Sequence, residues 1–414
     1  MKQNRKYIML AAVLCGIAAS ATGICWNAIG VFYTPVSEAL GVLRGTFAMH
    51  NTVGTIATAV ASLFVLKLFD KFSLRPVIIT GALLAGISTI LMGFAKGMTA
   101  FYILAIIRGI GCSFYGNLII TTTIIRWFHK NHGLMISIVM GCCGVAGAVF
   151  SPLFAACIER FGWEVGFFFM GACILVLAAP VLFFKFDISP EKCGIKPYGY
   201  EEKIEDNKKE AKAAQSKGKL ITGMFIAMCL FATVQPLLTG LTQHFSGFAE
   251  SIGSTAAVGA TMVSACMVGN IGTKLVVGFI SDKLGAVKAS VIMTVINILS
   301  IGIIYAGGLR NSLVLLLIGA AAFGSCYAVA AVGLSLLTRH FFGTAEYGRI
   351  FPYVTFVSNL GTAFALTLIG YVYDFTGGYD YVFLGALAVH GLCLLLLAYM
   401  VLKRKGKSRS YTNN

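Results

Sequence analysis

Two basic residues lie inside long apolar runs, Lys274 and Arg108, and any chemistry in the chain starts from them. Asn270 precedes Lys274 by four residues, so on a helix the amide and the ammonium share a face. Eight residues beyond Lys274 the run ends in Gly278-x-x-x-Asp282-Lys283-x-Gly285. That places Lys274 about 12 Å along a helix axis from Asp282. A cation at such depth requires an anion, a water-filled cavity or a stem that snorkels to the interface. Arg108 is followed by Gly109, Gly111, Cys112 and Tyr115, and Arg108, Cys112 and Tyr115 fall on one helical face. No phosphate loop and no HExxH occurs, so ATP use and metal-assisted hydrolysis have no support. The chain reads as a non-enzyme without a cofactor or metal, whose cations bind an anion.

Other polar residues interrupt apolar runs. Asn27 follows Trp26, Gln235 precedes Pro236, Tyr327 stands in a run of small residues, and Asn359 follows Ser358. Each has an ordinary alternative: a helix–helix hydrogen bond for Asn27 and Arg108, packing for Tyr327, snorkelling for Lys274. All 16 Asp and Glu fall outside the interiors of the apolar runs, so no buried carboxylate is on hand to neutralise either cation or to carry a proton.

The elements that must position these residues are membrane helices. The chain of 414 residues is 58% hydrophobic and 12% charged. That charged share is about half the soluble norm. Twelve runs are long enough to span a bilayer, at about 7–34, 45–66, 76–95, 99–124, 133–157, 164–185, 220–244, 254–280, 287–307, 312–337, 347–371 and 380–402. The first is too long for a signal peptide and is read as a helix. Residues 186–219 are dense in Lys and Glu and form a linker. The predicted fold is therefore all-α and polytopic: twelve transmembrane helices in two pseudo-symmetric six-helix bundles, 1–185 and 220–414, the second ending in a basic tail.

With the N-terminus inside, 26 of the 32 Lys and Arg are cytoplasmic, and only Arg44, Lys96, Arg160 and Arg310 are external. The net charge of +16 thus reports orientation in a cell membrane, with both termini cytoplasmic, and not nucleic-acid binding. The twelve cysteines contain no CxxC and point to neither a disulfide framework nor a metal site.

The halves repeat. Asp70-Lys71 and Asp282-Lys283 are offset by 212 residues, Arg126-Trp-Phe128 and Arg339-His-Phe341 by 213, and Gly162-Trp163 and Gly378-Tyr379 by 216. Near-constant offsets at three loops mark parallel repeats.

On these residues the chain resembles a major facilitator superfamily transporter over its whole length. Gly278-x-x-x-Asp282-Lys283-x-Gly285 is similar to that family's loop signature. The first-half copy keeps Asp70, Lys71 and Arg75 but has Leu66 and Ser73 in place of the glycines. Trp127-Phe-His-Lys-Asn-His-Gly133-Leu and Gly370-x-x-x-Asp374-x-Thr-Gly-Gly-Tyr379 resemble loops of the monocarboxylate and oxalate:formate branch. The resemblance implies a substrate site near the midplane between the halves, with Lys274, Asn270, Asn27, Arg108, Tyr115, Gln235, Tyr327 and Asn359 as its candidates. It implies gating by the loop residues Asp70, Lys71, Arg75, Asp282 and Lys283. That branch has Asp-x-x-x-Arg on its eighth helix; here Asn270-x-x-x-Lys274 keeps the spacing with the acid neutralised.

The expected function is secondary active transport of a small organic anion, a monocarboxylate, by alternating access as an exchanger or uniporter. The alternatives are export of a neutral or drug-like metabolite, proton-coupled symport, and a membrane sensor that keeps the fold without transport. The expected partners are the substrate anion and the lipid bilayer, with a monomer as the working unit.

Overall fold

Backbone in hydrocarbon must satisfy its own N–H and C=O groups, and the apolar runs do so as helices. The structure is a computed structural model that describes residues 2–42, 44–184, 186–199 and 223–412; the side chains of some helical residues, including Asp70 and Asp374, lie outside the described ones. Among the described residues there is no strand, and Phe128 and Tyr198 form an isolated bridge.

The chain divides into two compact units, Met1–Tyr200 and Glu201–Asn414. The first holds α1 (Arg5–Phe32), α2 (Thr46–Leu68), α3 (Leu74–Met92), α4 (Met98–Trp127), α5 (His132–Phe161) and α6 (Trp163–Leu182). The second holds α7 (Gly223–Thr242), α8 (Thr261–Leu284), α9 (Ala286–Leu309), then a 53-residue stretch, Leu313–Ala365, and α12 (Tyr379–Arg404).

A 53-residue helix is about 80 Å long, far more than one crossing requires. Gly343, at φ 78°, leaves helical geometry inside it. It divides the stretch into α10 (313–342) and α11 (344–376), which gives, among the described residues, the twelve crossings predicted. Residues 338–346, predicted as a loop, are instead helical on both sides of one left-handed glycine. Asp282 and Lys283, also read as loop residues, belong to the last turn of α8, which ends at Gly285 with φ 90°.

Packing repeats between the units. α2 and α3 both pack on α4, as α8 and α9 both pack on α10. Gly54 and Gly109 meet where α2 crosses α4, and Thr58 Oγ1 donates to the Gly109 carbonyl across the crossing at 2.8 Å. Gly269 and Gly324, each 215 residues further on, meet in the same way where α8 crosses α10. A β-carbon at Gly324 would land on the backbone nitrogen of Asn270. Only glycine lets the two backbones approach so closely.

Among the helices that depart from α geometry, three carry candidate site residues near the departure. α1 is a π-helix over Ala19–Asn27 and a 3-10 helix over Ile29–Phe32. α7 carries Pro236 and passes into a 3-10 helix at Leu238–His244. α10 breaks at Gly324 and runs as a π-helix over Val329–Gly333. Pro236 accounts for the second of these, since it removes a backbone donor.

The start of the expected linker is folded onto the first unit. Tyr198 donates its N–H to the Trp127 carbonyl at 2.8 Å and accepts from His129 N–H at 2.9 Å. Trp127 Nε1 donates to the Asp187 carbonyl at 3.0 Å, and Tyr7 Oη donates to the Lys196 carbonyl at 2.6 Å. Residues 201–219 of that linker lie outside the described residues.

The glycine crossing gives a direct test. Gly324→Ala is expected to cost about 1–3 kcal/mol, as overpacking does. Gly302→Ala on α9, where a β-carbon meets nothing within 4 Å, is expected to be near neutral. Thermal unfolding of the two purified variants separates them.

Candidate functional site

Both units bury polar side chains that the sequence singles out. In the first, the centre is Arg108 on α4, 0% exposed. Gly109 beside it allows α2 to approach, and α2 then supplies Asn51. Arg108 Nη2 donates to Asn51 Oδ1 at 2.8 Å, and Asn51 Nδ2 donates to Tyr33 Oη at 2.8 Å. The guanidinium carbon stands 5.2 Å from the centre of the Trp26 ring, within cation–π range. Nη1 has only the Met92 sulfur, at 4.0 Å, and Nε has no acceptor among the described residues. Every described partner of this cation is therefore neutral.

His50 precedes Asn51 and is also 0% exposed. Its Nδ1 bonds the Phe47 carbonyl, and its ring packs on Phe47 and Phe101. Asn27 is exposed at the end of the π segment of α1, with Nδ2 on the Cys143 carbonyl of α5 at 3.3 Å. Tyr115 does not join Arg108. Its hydroxyl pairs with Ser20 Oγ at 3.1 Å, and Ser20 donates on to the Ile174 carbonyl at 2.9 Å. It ties α1, α4 and α6 together inside the bundle.

The second cluster lies along α7, α8 and α10. Lys274 is buried at 6% exposure and Asn270 at 4%. Asn270 Nδ2 has the Met267 sulfur at 4.0 Å, while its Oδ1 has no donor. Gln235 Nε2 donates to the Cys326 carbonyl at 2.9 Å, and its Oε1 has no donor either. Tyr327 Oη donates to the Thr239 carbonyl at 3.2 Å. Asn359 is half-buried on α11. Asn270 and Gln235 are thus buried amides whose oxygens have bonding capacity in reserve, Lys274 is a buried cation four residues beyond Asn270, and Tyr327 has its hydroxyl committed to packing.

The expected gating residues are distributed between the units. Arg75 donates to the Leu182 carbonyl, joining α3 to the end of α6. Lys71 is exposed, and the side chain of Asp70 lies outside the described residues. Lys283 stacks on the Phe279 ring at 4.2 Å, and Asp282 interacts electrostatically with Arg339 of α10.

Sequence reasoning did not single out Asn51, Tyr33 or Asn297. The signal for Asn51 and Tyr33 was indirect: a buried guanidinium must find hydrogen-bond acceptors, and these two flank the short connection into α2. A larger groove, of about 590 Å³, is lined by apolar residues such as Val53, Val60, Phe64, Ile106 and Phe114. It offers an anion no donor.

Comparison with known proteins agrees with this architecture. A family model described as Major Facilitator Superfamily matches residues 15–260 and 220–413. An uncharacterized MFS-type transporter, YcxA, of Bacillus subtilis (strain 168) is 24% identical over 38% of this chain and 39% of its own length. Monocarboxylate transporter 13 of Rattus norvegicus is 23% identical over 89% of this chain and 84% of its own. Monocarboxylate transporter 9 of the same organism is 30% identical over 46% of this chain and 39% of its own. Among solved structures, the MFS proton:xylose symporter XylE bound to 6-bromo-6-deoxy-D-glucose superposes with a TM-score of 0.72 at 13% identity, over 96% of both chains. At that identity the likeness is one of fold.

The Arg108 cluster predicts its own sensitivity. Asn51→Leu takes the one oxygen acceptor from a buried guanidinium and is expected to cost about 1–3 kcal/mol. Tyr33→Phe removes only the far end of the chain and is expected to cost about 1 kcal/mol. Denaturation of the purified variants in detergent measures both.

Proposed function

The chain belongs to the Major Facilitator Superfamily, a family of transporters, and on that basis we propose that it moves a small organic anion, a monocarboxylate, across the cell membrane by alternating access. The observation that carries the reading is Arg108: a guanidinium wholly out of solvent, with neutral partners and an Nε lacking an acceptor. A cation at the centre of a membrane helix costs about 2.5–3.5 kcal/mol on insertion scales. A substrate carboxylate offsets that cost; a neutral sugar or drug-like molecule leaves it in place. Lys274 adds a second buried cation, beside an Asn270 oxygen that lacks a donor.

The monocarboxylate class rests on two further points. Two relatives bear the name monocarboxylate transporter. No Lys or Arg follows Arg349 on α11, so that helix offers no second cation with which to clamp a dicarboxylate. We assign Asn27, Asn270, Gln235 and Asn359 to hydrogen bonding of the substrate, with Tyr115 and Tyr327 holding the helices that carry the site. We assign gating to the Asp70, Lys71 and Arg75 group and to Asp282 with Lys283. The Lys and Arg distribution favours cytoplasmic termini. With Asn270 where the branch has an acid, and no carboxylate in the interior of an apolar run, exchange or uniport is favoured over obligatory proton symport.

Proteoliposome uptake of a labelled short monocarboxylate tests this. Lys274→Gln is expected to abolish uptake while reaching the membrane, and Lys274→Arg to keep part of it. Counter-substrate inside the vesicle is expected to accelerate wild-type uptake more than an inward proton gradient does. Normal uptake by Lys274→Gln removes Lys274 from the site. Strict dependence on the gradient, with no effect of counter-substrate, rejects the exchange reading.

A further inference from the structure

The second unit contains a small cavity that reaches Gln235, a residue of the proposed substrate site, but is otherwise lined by residues that the transport reading does not use. It has room for one water molecule; its polar lining is Gln235 of α7, Thr294 and Asn297 of α9, Cys326 of α10, and His390 and Cys393 of α12, and Leu238, Met293 and Val329 complete it. Gln235 is 3% exposed and Asn297 1%. Both amides have spent their N–H groups on α10. Gln235 Nε2 donates to the Cys326 carbonyl at 2.9 Å. Asn297 Nδ2 donates to the Phe323 carbonyl at 2.9 Å and to Ser325 Oγ at 3.0 Å. Their oxygens, Gln235 Oε1 and Asn297 Oδ1, have no donor.

Of the remaining polar lining, Thr294 and His390 cannot supply one, and the Cys326 and Cys393 thiols are weak donors only. Thr294 Oγ1 donates to the Ser290 carbonyl at 2.9 Å. His390 Nδ1 lies 2.7 Å from the Ala386 carbonyl, which only accepts, so the hydrogen is on Nδ1 and the other nitrogen of the neutral ring is an acceptor. The cavity therefore presents strong acceptors against weak donors, which suits an occupant that donates. Nearly all buried polar atoms in folded proteins find a partner, and leaving two amide oxygens bare is costly.

We propose that this cavity is a binding site for a single water molecule. The water donates one hydrogen to Gln235 Oε1 and the other to Asn297 Oδ1, and so ties α7 to α9. A sodium or ammonium ion also suits acceptors, but no Asp or Glu lines the cavity to balance its charge, and two free amide oxygens are too few to replace its hydration shell. Water has the required two donors and no charge. The site lies where two helices lose regular backbone bonding: beside Pro236 in α7, and between the Gly324 break and the Val329–Gly333 π segment of α10. The water stands in for the rigidity those helices lack at this level.

A density map of the full-length protein at a resolution that shows ordered water tests the proposal. The expected result is one peak about 2.7–3.2 Å from both Gln235 Oε1 and Asn297 Oδ1, independent of the salt used. An empty cavity, or a peak seen only with sodium or ammonium salts, overturns it. A double-mutant cycle on thermal unfolding gives a second measurement. Gln235→Leu and Asn297→Leu each lower Tm, and the double variant is expected to lose less than the sum, because the bridge is lost once. Strict additivity overturns the bridge. If a leucine variant does not fold, Gln235→Met and Asn297→Ala complete the same cycle.

Discussion

A guanidinium out of solvent, with no carboxylate to meet it, is the constraint around which the first bundle is arranged. Arg108 cannot lose its charge, so the bundle must answer it with dipoles and ring faces. Asn51 gives an oxygen, Trp26 gives the face of its indole, and Tyr33 holds Asn51 in place. None of these carries a negative charge. The cluster is stable enough to fold and still electrostatically open, which is the condition a carrier of anions must satisfy: attraction strong enough to bind, with no internal ion pair to compete.

That arrangement depends on backbone geometry set by glycine. α2 brings Asn51 to Arg108 because Gly54 and Gly109 let the two helices touch, and α8 brings Asn270 against α10 because Gly269 and Gly324 do the same. The same crossing recurs at an offset of 215 residues, but its polar cargo differs. The first unit places an arginine beside the crossing; the second places an amide, with a lysine one turn further along. Duplication kept the packing device and let the charge positions diverge.

Much of this was legible in the sequence because hydrocarbon leaves few options. Apolar length gave the spans, loop offsets gave the repeat, and the rarity of charge inside the runs drew attention to Arg108 and Lys274. What was not legible depends on tertiary partners. Asn51 sits 57 residues from Arg108, and a polar residue near a helix end is unremarkable until the fold brings the two to 2.8 Å. Tyr115 shares a helical face with Arg108, yet its hydroxyl turns to Ser20 on another helix. The 338–346 segment reads as a polar loop, but one glycine with positive φ is enough to turn the chain while helix continues on both sides. Residues 186–199 have the composition of a solvated linker. Backbone bonds from Trp127 and His129 hold their end, which no side-chain pattern announces.

The claim that the buried Arg108 guanidinium awaits a carboxylate is tested most directly by ligands that differ in charge alone. Thermal unfolding of the purified wild-type protein can be measured with propionate and with propionamide, which match in size and shape. The account predicts that propionate raises Tm in a concentration-dependent way and that propionamide does not. An equal shift with both, or a shift with the amide only, contradicts it.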